Sequence, residues 1–453
     1  MTTLLEPPTS ARRTAHTAPA APVSTASVST APVSTAPVAP TAPVASAPTR
    51  TPRDVSIDVA RAWCLVVVVG LHALMVGVSV AGGAPVLENA MDGWGGFAAL
   101  TWVAQVMPLF FVLGGFSSIT QWTRLRERGV PAHDYVALRM RRLLPPALGA
   151  MGVTAAALLV LTVAGVPGEV VAVAGFRMSQ PLWFLGVYVL CTALVPLLTA
   201  AHRAAPRLSV LALLALVVGV DAARISTGVE AIGFANLLFV WLLMQQLGFH
   251  LADGRVATNR RPLLAVAAAS LGALLALCAG GVYLFDLYEN LNPPTAALVL
   301  LGVAQLCLFQ LARPMLRRLH RIRPIASIVT AIGARAMTIY SWHMLVLIGL
   351  AGLLLVTVGD ALPAPLTEAW WVTRPLWFAA VALGVIIVAA LAGRREAATD
   401  SGRSARPTPL ASAVTAVLLA AAGVLLVLLL GAAPAAWFGG ALLLAGALRV
   451  ATR

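Results

Sequence analysis

From residue 54 onward the chain is a succession of apolar runs near twenty residues long, separated by short polar punctuation. A run of that length, wound as a helix rising 1.5 Å per residue, matches the hydrocarbon thickness of a bilayer. About twelve can be read: roughly 62 to 82, 97 to 119, 143 to 165, 181 to 200, 207 to 223, 231 to 251, 262 to 284, 296 to 312, 337 to 357, 375 to 393, 410 to 430 and 432 to 449. The expectation is all-α: a polytopic transmembrane helical bundle with a ten-helix core and a C-terminal two-helix hairpin.

The punctuation alternates between arginine-rich and arginine-poor. Arg124, Arg126, Arg128, Arg139, Arg141 and Arg142 fall on one side, followed there by clusters near 203 to 207, 255 to 261, 313 to 323 and 394 to 406. The opposite connections carry only Arg177, Arg224 and Arg374, beside Glu88, Asp92, Asp286 and Glu289. The positive-inside rule then predicts an even number of spans, both termini cytoplasmic and a plasma-membrane location. Residues 1–53, rich in Pro, Ala, Ser and Thr, lack the apolar content to order themselves and predict a disordered cytoplasmic tail. Residues 54–395 form the expected membrane core, and 396–453 a polar linker with the appended hairpin.

Composition narrows the class further. With 60% hydrophobic and 11% charged residues and a mean hydropathy of +0.89, the chain is excluded from the ordinary soluble proteins. Its formal charge of +14 is dispersed over connecting loops, so topology accounts for it and no nucleic-acid partner is expected. Cys64, Cys191, Cys278 and Cys307 fall inside predicted spans without metal-ligand spacing and read as small apolar packers; no metal site is expected.

Ionisable residues inside a span need a reason, because they are expensive in hydrocarbon. Arg61 and His72 lie eleven residues apart in the first run, which places both on one helix face, about 16 Å apart along the axis. Asp58 falls on the same stripe, about 21 Å from His72. A positive-inside anchor and a packing histidine explain two of these residues as well as chemistry does. Gln105, Asn236, Gln245, Gln246, Gln305 and His343 are further polar residues within spans, and their number favours a polar cavity in the bundle.

Five stretches in order resemble the acyltransferase-3 family of integral-membrane O-acyltransferases. They are RDVSIDVARAWCLVVVVGLHALM, with Arg61 and His72; MPLFFVLGGFSSITQW; YVALRMRRLLPPAL, with Arg139, Arg142 and Pro145; QPLWFLGVYVL, with Trp183; and MTIYSWHMLVL, with Tyr340 and His343. The chain departs from the family pattern at Gly114, where serine is usual, and lacks the soluble esterase-like domain of some relatives. The resemblance implies acyl transfer, commonly from a cytoplasmic acyl-CoA, to a hydroxyl of a glycan, lipid-linked sugar or small natural product, as in modification of cell-envelope polysaccharide. No bound cofactor is expected; acyl-CoA enters as donor substrate.

Within that reading His72 is the candidate base, with Arg61 and Asp58 completing a catalytic line. Arg139 and Arg142, on one helix face, are candidates to hold the anionic donor together with Arg141. Trp183, Tyr340 and His343, the last expected near the cytoplasmic edge of its span, are candidates to line a substrate pocket. A transporter of a lipid or small polar solute is the alternative, and a membrane scaffold using the tail is a third possibility.

Overall fold

The computed structural model describes residues 54–82, 84–400 and 408–452; the expected tail and residues 401–407 of the linker lie outside the described residues. Helices α1 (Val55–Met75), α2 (Phe97–Ala104), α3 (Met107–Glu127), α4 (Ala132–Val163), α5 (Gly168–Ser179), α6 (Leu182–Ala193), α7 (Val195–Ala204) and α8 (Pro206–Thr227) come first. They are followed by α9 (Asn236–Ala252), α10 (Arg260–Ala279), α11 (Ala296–His320), α12 (Arg323–Ala334), α13 (Ala336–Thr357), α14 (Glu368–Asp400), α15 (Leu410–Leu430) and α16 (Pro434–Ala451). Among the described residues, twelve helical segments are long and apolar enough to cross a membrane, with α2–α3 and α5–α6 each making one broken crossing. The chain is a multi-pass membrane protein with an all-α bundle.

The first crossing ends earlier than its hydropathy suggests. Instead of continuing to 82, α1 stops at Met75, and Val76–Ala81 (β1) pairs antiparallel with Ala84–Asn89 (β2), from Val76 opposite Asn89 to Ala81 opposite Ala84. The segment VGVSVA alternates β-branched and small residues, a period-2 pattern that a hydropathy window cannot tell from helix. Gly82, at φ 59°, turns the hairpin in the left-handed region open to glycine. The expected fourth run, 181 to 200, is also shifted: the crossing runs Gly168–Ala193 and breaks at Gln180–Pro181, before Leu182 opens α6.

Helix ends and close approaches fix the frame. Asp54 caps α1 by accepting from the Ser56 amide (3.1 Å) and hydroxyl (2.6 Å), and it is clamped from α11 by Arg313 and Arg317. Burial pushes the Asp54 carboxyl up, but the hydrogen bonds from Ser56, Arg313 and Arg317 outweigh it and hold the group well below the usual carboxylate range. Helices α3 and α9 approach through Gly115 and Gly248: a Cβ on Gly115 would lie 2.2 Å from the Gln245 carbonyl oxygen, and one on Gly248 2.1 Å from that of Val112.

The embedded amides serve as joints rather than as a cavity lining. Gln305 donates to the Gln105 carbonyl (2.7 Å) and accepts from the Leu109 amide (3.0 Å), bridging the break between α2 and α3. Asn236 donates to Asp221 (2.9 Å), Gln245 to the Cys191 carbonyl (3.2 Å), and Gln246 contacts His202 (2.8 Å). Interhelical bonding thus uses the residues whose number had suggested a polar cavity.

The C-terminal hairpin is packed into the main apolar core, with Ala416, Ala420, Val427, Trp437 and Leu444 all buried there. Arg141 donates through Nε to the Ala451 carbonyl (2.7 Å) and through Nη2 to Thr408 (3.0 Å), while Asp134 accepts from the Thr408 amide (2.7 Å). That geometry corrects the expectation for Arg141: its guanidinium is committed to the hairpin, on the side of α4 away from Arg139.

Candidate active site

His72 lies in the last turn of α1, and its Nδ1 is 2.8 Å from Nε2 of His343 on α13, the rings stacked at 5.1 Å and 12°. The partners of His343 decide which nitrogens carry protons. Its Nδ1 lies 2.6 Å from the Tyr340 carbonyl oxygen, which can only accept, so Nδ1 is the protonated nitrogen. In a neutral His343, Nε2 is then a lone pair that accepts from Nδ1–H of His72. The remaining His72 nitrogen, Nε2, is left as a lone pair with no partner among the described residues. One backbone carbonyl therefore sets the tautomer of two imidazoles in series.

Tyr340 is held in turn, its hydroxyl donating to the Pro181 carbonyl (2.6 Å) at the α5–α6 break. That carbonyl also accepts from the Phe184 amide (3.2 Å) at the start of α6, and the buried phenol uses its second lone pair. His343 lies about two turns into α13. The short helix α12, absent from the hydropathy reading, packs Val329 against Val59 and Ala62 in the first turns of α1, immediately before α13 begins.

His72 opens onto a cleft lined also by Met75, Val76, Leu87, Glu88, Asn89, Arg177, Gln180, Pro181, Tyr288, Met344 and Ile348, whereas His343, Tyr340 and Trp183 do not line it and His343 is buried behind His72. The walls of the cleft are the β1–β2 hairpin, the α5–α6 break and the loop before α11, so it lies toward the arginine-poor end of the bundle. Burial, reinforced by Glu289, pushes the Tyr288 phenol up to about 12, with Arg177 pulling the other way, so it is a neutral hydroxyl at physiological pH.

The arginines expected to act with His72 are at the other end of α1. Asp58 lies in its first turn, and Arg61 contacts Ser117 (3.4 Å) and overlies the Phe110 ring at 5.8 Å. Ser117 is three positions beyond Gly114, on the same face of α3, so a hydroxyl reaches Arg61 although serine is missing at 114. Arg139 contacts Gln121 (2.9 Å) and Tyr188 (3.4 Å), while its buried Nε has no partner. Arg142 is exposed.

Aromatic rings join the two ends. Phe110, beneath Arg61, meets Phe184 edge-on at 5.3 Å; Phe184 stacks on Tyr188, the partner of Arg139, at 5.3 Å and meets Tyr340 at 4.9 Å. Phe184 and Tyr188 share a face of α6 by their four-residue spacing, so one short helix touches both the arginines and the support of the histidine pair. Trp183 stacks on Trp241 at 5.6 Å and meets Phe184 edge-on at 6.2 Å, within the same ring cluster. Gln180, Phe184 and Tyr188 fall within the QPLWFLGVYVL stretch but are not singled out by it, while Glu88, Arg177 and Tyr288 lie outside the five stretches, Glu88 and Arg177 carrying a signal only through the charge pattern of the connections.

Among the described residues no group of three or more His, Cys, Asp or Glu is placed to hold a metal ion. Residues 54–394 match the acyltransferase-3 family model, described as an acyltransferase domain. No curated protein and no solved structure matches the chain.

Proposed function

The chain belongs to the acyltransferase-3 family and is a membrane acyltransferase, and from that premise we propose that it carries an acyl group from acyl-CoA, bound from the cytoplasmic, arginine-rich end, to a hydroxyl of a glycan, lipid-linked sugar or small natural product entering the opposite cleft. The observation that carries this reading is the His72–His343 bond, whose tautomer leaves a basic nitrogen on His72 at the cleft.

In the proposed reaction, Nε2 of His72 takes the acceptor's hydroxyl proton as the oxygen attacks the thioester carbon. The imidazolium then formed keeps donating through Nδ1 to His343, whose neutral ring orients it and shares the charge. Collapse of the tetrahedral intermediate breaks the carbon–sulfur bond, and the proton on Nε2 passes to the departing CoA thiolate, restoring the starting tautomers.

Arg61 and Arg139 would hold the anionic donor, since guanidinium groups match phosphate oxygens bidentately and stay charged when half-buried. The unpartnered Nε of Arg139 supports this role. The distance of about 16 Å between Arg61 and His72 along α1 is comparable to the reach of an extended pantetheine arm, and the packed ring series through Phe184 lies between the two ends. Asp58 and Arg142 belong to the donor end in this scheme, and Asp58 is too distant to polarise His72.

The test is transfer of labelled acyl from acyl-CoA by purified protein and by His72→Ala. Loss of transfer in a variant that remains monodisperse in detergent supports the reading. Transfer at the wild-type rate overturns it, and solute uptake by wild-type proteoliposomes without acyl transfer would favour the transporter.

A further inference from the structure

Three arginines occupy the arginine-poor end of the bundle, and their surroundings differ. Arg224 is ion-paired with Glu230 (3.1 Å), and Arg374 lies 4.0 Å over the Trp370 ring, 5.6 Å from that of Trp377, and donates to the Trp370 carbonyl. Both are held by the fold. Arg177 alone has neither an ion pair nor a hydrogen bond among the described residues, although it is half-buried and lines the same cleft as His72.

Its position makes that isolation informative. Arg177 is in the last turn of α5, nine residues or about 13 Å along the helix from Gly168, within an apolar crossing. A cation at such depth ordinarily faces a partner or a substrate path. The negative end of the α5 dipole favours a positive charge there, but it supplies no acceptor for five guanidinium N–H donors. Glu88 lines the same cleft without pairing with Arg177. The Gln180 amide and the Tyr288 hydroxyl also lack hydrogen-bond partners among the described residues, so unfilled polar groups converge on one space from α5, its break and the loop before α11.

We infer that the acceptor carries an anionic group, a phosphate or a carboxylate, which Arg177 grips while a hydroxyl of the same molecule reaches His72. This rests on the acyl-transfer reading above and adds to it the charge class of the acceptor. Gln180 and Tyr288, which line the same cleft, are available to the acceptor's remaining oxygens. Arg177 is then a specificity-determining residue: its fork orders the acceptor so that one hydroxyl, rather than any, lies at the base.

The experiment uses the full chain in detergent with acetyl-CoA as donor and three probes of matched size: methyl glucoside, glucose 6-phosphate and glucuronate. Acyl transfer gives kcat/KM, and thermophoresis gives Kd for each probe independently of turnover. The expected result is a preference of about tenfold or more for an anionic probe, which falls to within about twofold in Arg177→Gln and survives in part in Arg177→Lys. Whether the phosphate or the carboxylate is favoured identifies which anion the acceptor bears. Equal binding of neutral and anionic probes, no anion-dependent binding at all, or a preference that persists in Arg177→Gln overturns the inference. Anion binding that depends on Arg177 without any acyl transfer would instead remove the enzymatic reading and leave the anion subsite standing. Arg177→Lys, which keeps the charge, guards against a Gln variant that fails to fold.

Discussion

His343→Ala isolates the claim that a second imidazole sets the state of His72. Removing the ring deletes the acceptor 2.8 Å from His72 Nδ1 and leaves that nitrogen without its partner. In the resting enzyme this is one neutral hydrogen bond, worth about 1 kcal/mol net. During transfer His72 carries an extra proton and the same bond becomes charge-assisted, roughly twice as strong. Only the part that strengthens appears in kcat, about 1 kcal/mol, and loss of the fixed tautomer and ring orientation adds about 1 more. The sum of about 2 kcal/mol corresponds to a fall in kcat of roughly 30-fold. His72→Ala, which removes the base itself, should lose about 10²–10⁴-fold.

Because the two rings act as a unit, the double variant should be no slower than His72→Ala alone. His343→Gln, which can still present an acceptor oxygen, should lie between wild type and His343→Ala. The assay is single-turnover transfer of labelled acyl from saturating acyl-CoA, with monodispersity checked by size exclusion. A His343→Ala enzyme within threefold of wild type, or a double variant a further hundredfold below His72→Ala, would refute the coupling.

Other consequences are equally direct. Asp54 has its carboxyl depressed below the ordinary 3.8 in the folded chain, so its stabilisation is complete above that pH and is lost as pH falls below about 4. Asp54→Asn, which keeps a capping oxygen, should therefore lower stability by about 1–3 kcal/mol at pH 7, and a thermal-midpoint series should show the gap closing on acidification. Arg141→Ala should lower the thermal midpoint by freeing the hairpin from α4, whereas Arg139→Ala should chiefly raise KM for acyl-CoA; the reverse pattern would reinstate Arg141 as a donor ligand. Gly115→Val places a side chain against the Gln245 carbonyl and should cost about 3 kcal/mol or more, read as loss of the monodisperse peak on extraction; normal yield would show that α3 and α9 can separate.

Much of the bundle was legible because hydrocarbon thickness imposes one length on every crossing, and arginine alternates cleanly between loops. What the hydropathy window missed were departures from regular helix: the β1–β2 hairpin, the break at Gln180–Pro181 and the short helix α12. Each is apolar in composition, so only the period of the pattern, or a proline, distinguishes it from a span. At the site, Arg61 and His72 stand out in sequence because both are ionisable within a valine-rich run. Their separation along α1 follows from helix geometry, but the pairing of His72 with His343 joins residues 271 positions apart and depends on how α13 packs against α1, which no local pattern encodes. Arg141 is adjacent to the motif arginine Arg142, yet a 100° step turns the two to different neighbours, which is why Arg141 meets the hairpin and Arg142 faces outward.

The ribbon that closes the cleft has consequences for how ligand preference changes over time. β1 and β2 satisfy one another's peptide groups along their shared edge, while their outer edges present peptide donors and acceptors that no side-chain substitution removes. Successive side chains on β2 alternate between the faces of the ribbon, so deleting a single residue upstream would move each of Leu87, Glu88 and Asn89 to the opposite face in one step. Drift in acceptor choice would then proceed by insertions and deletions of one residue in this ribbon more readily than by point changes, with the helices that carry the histidines left untouched.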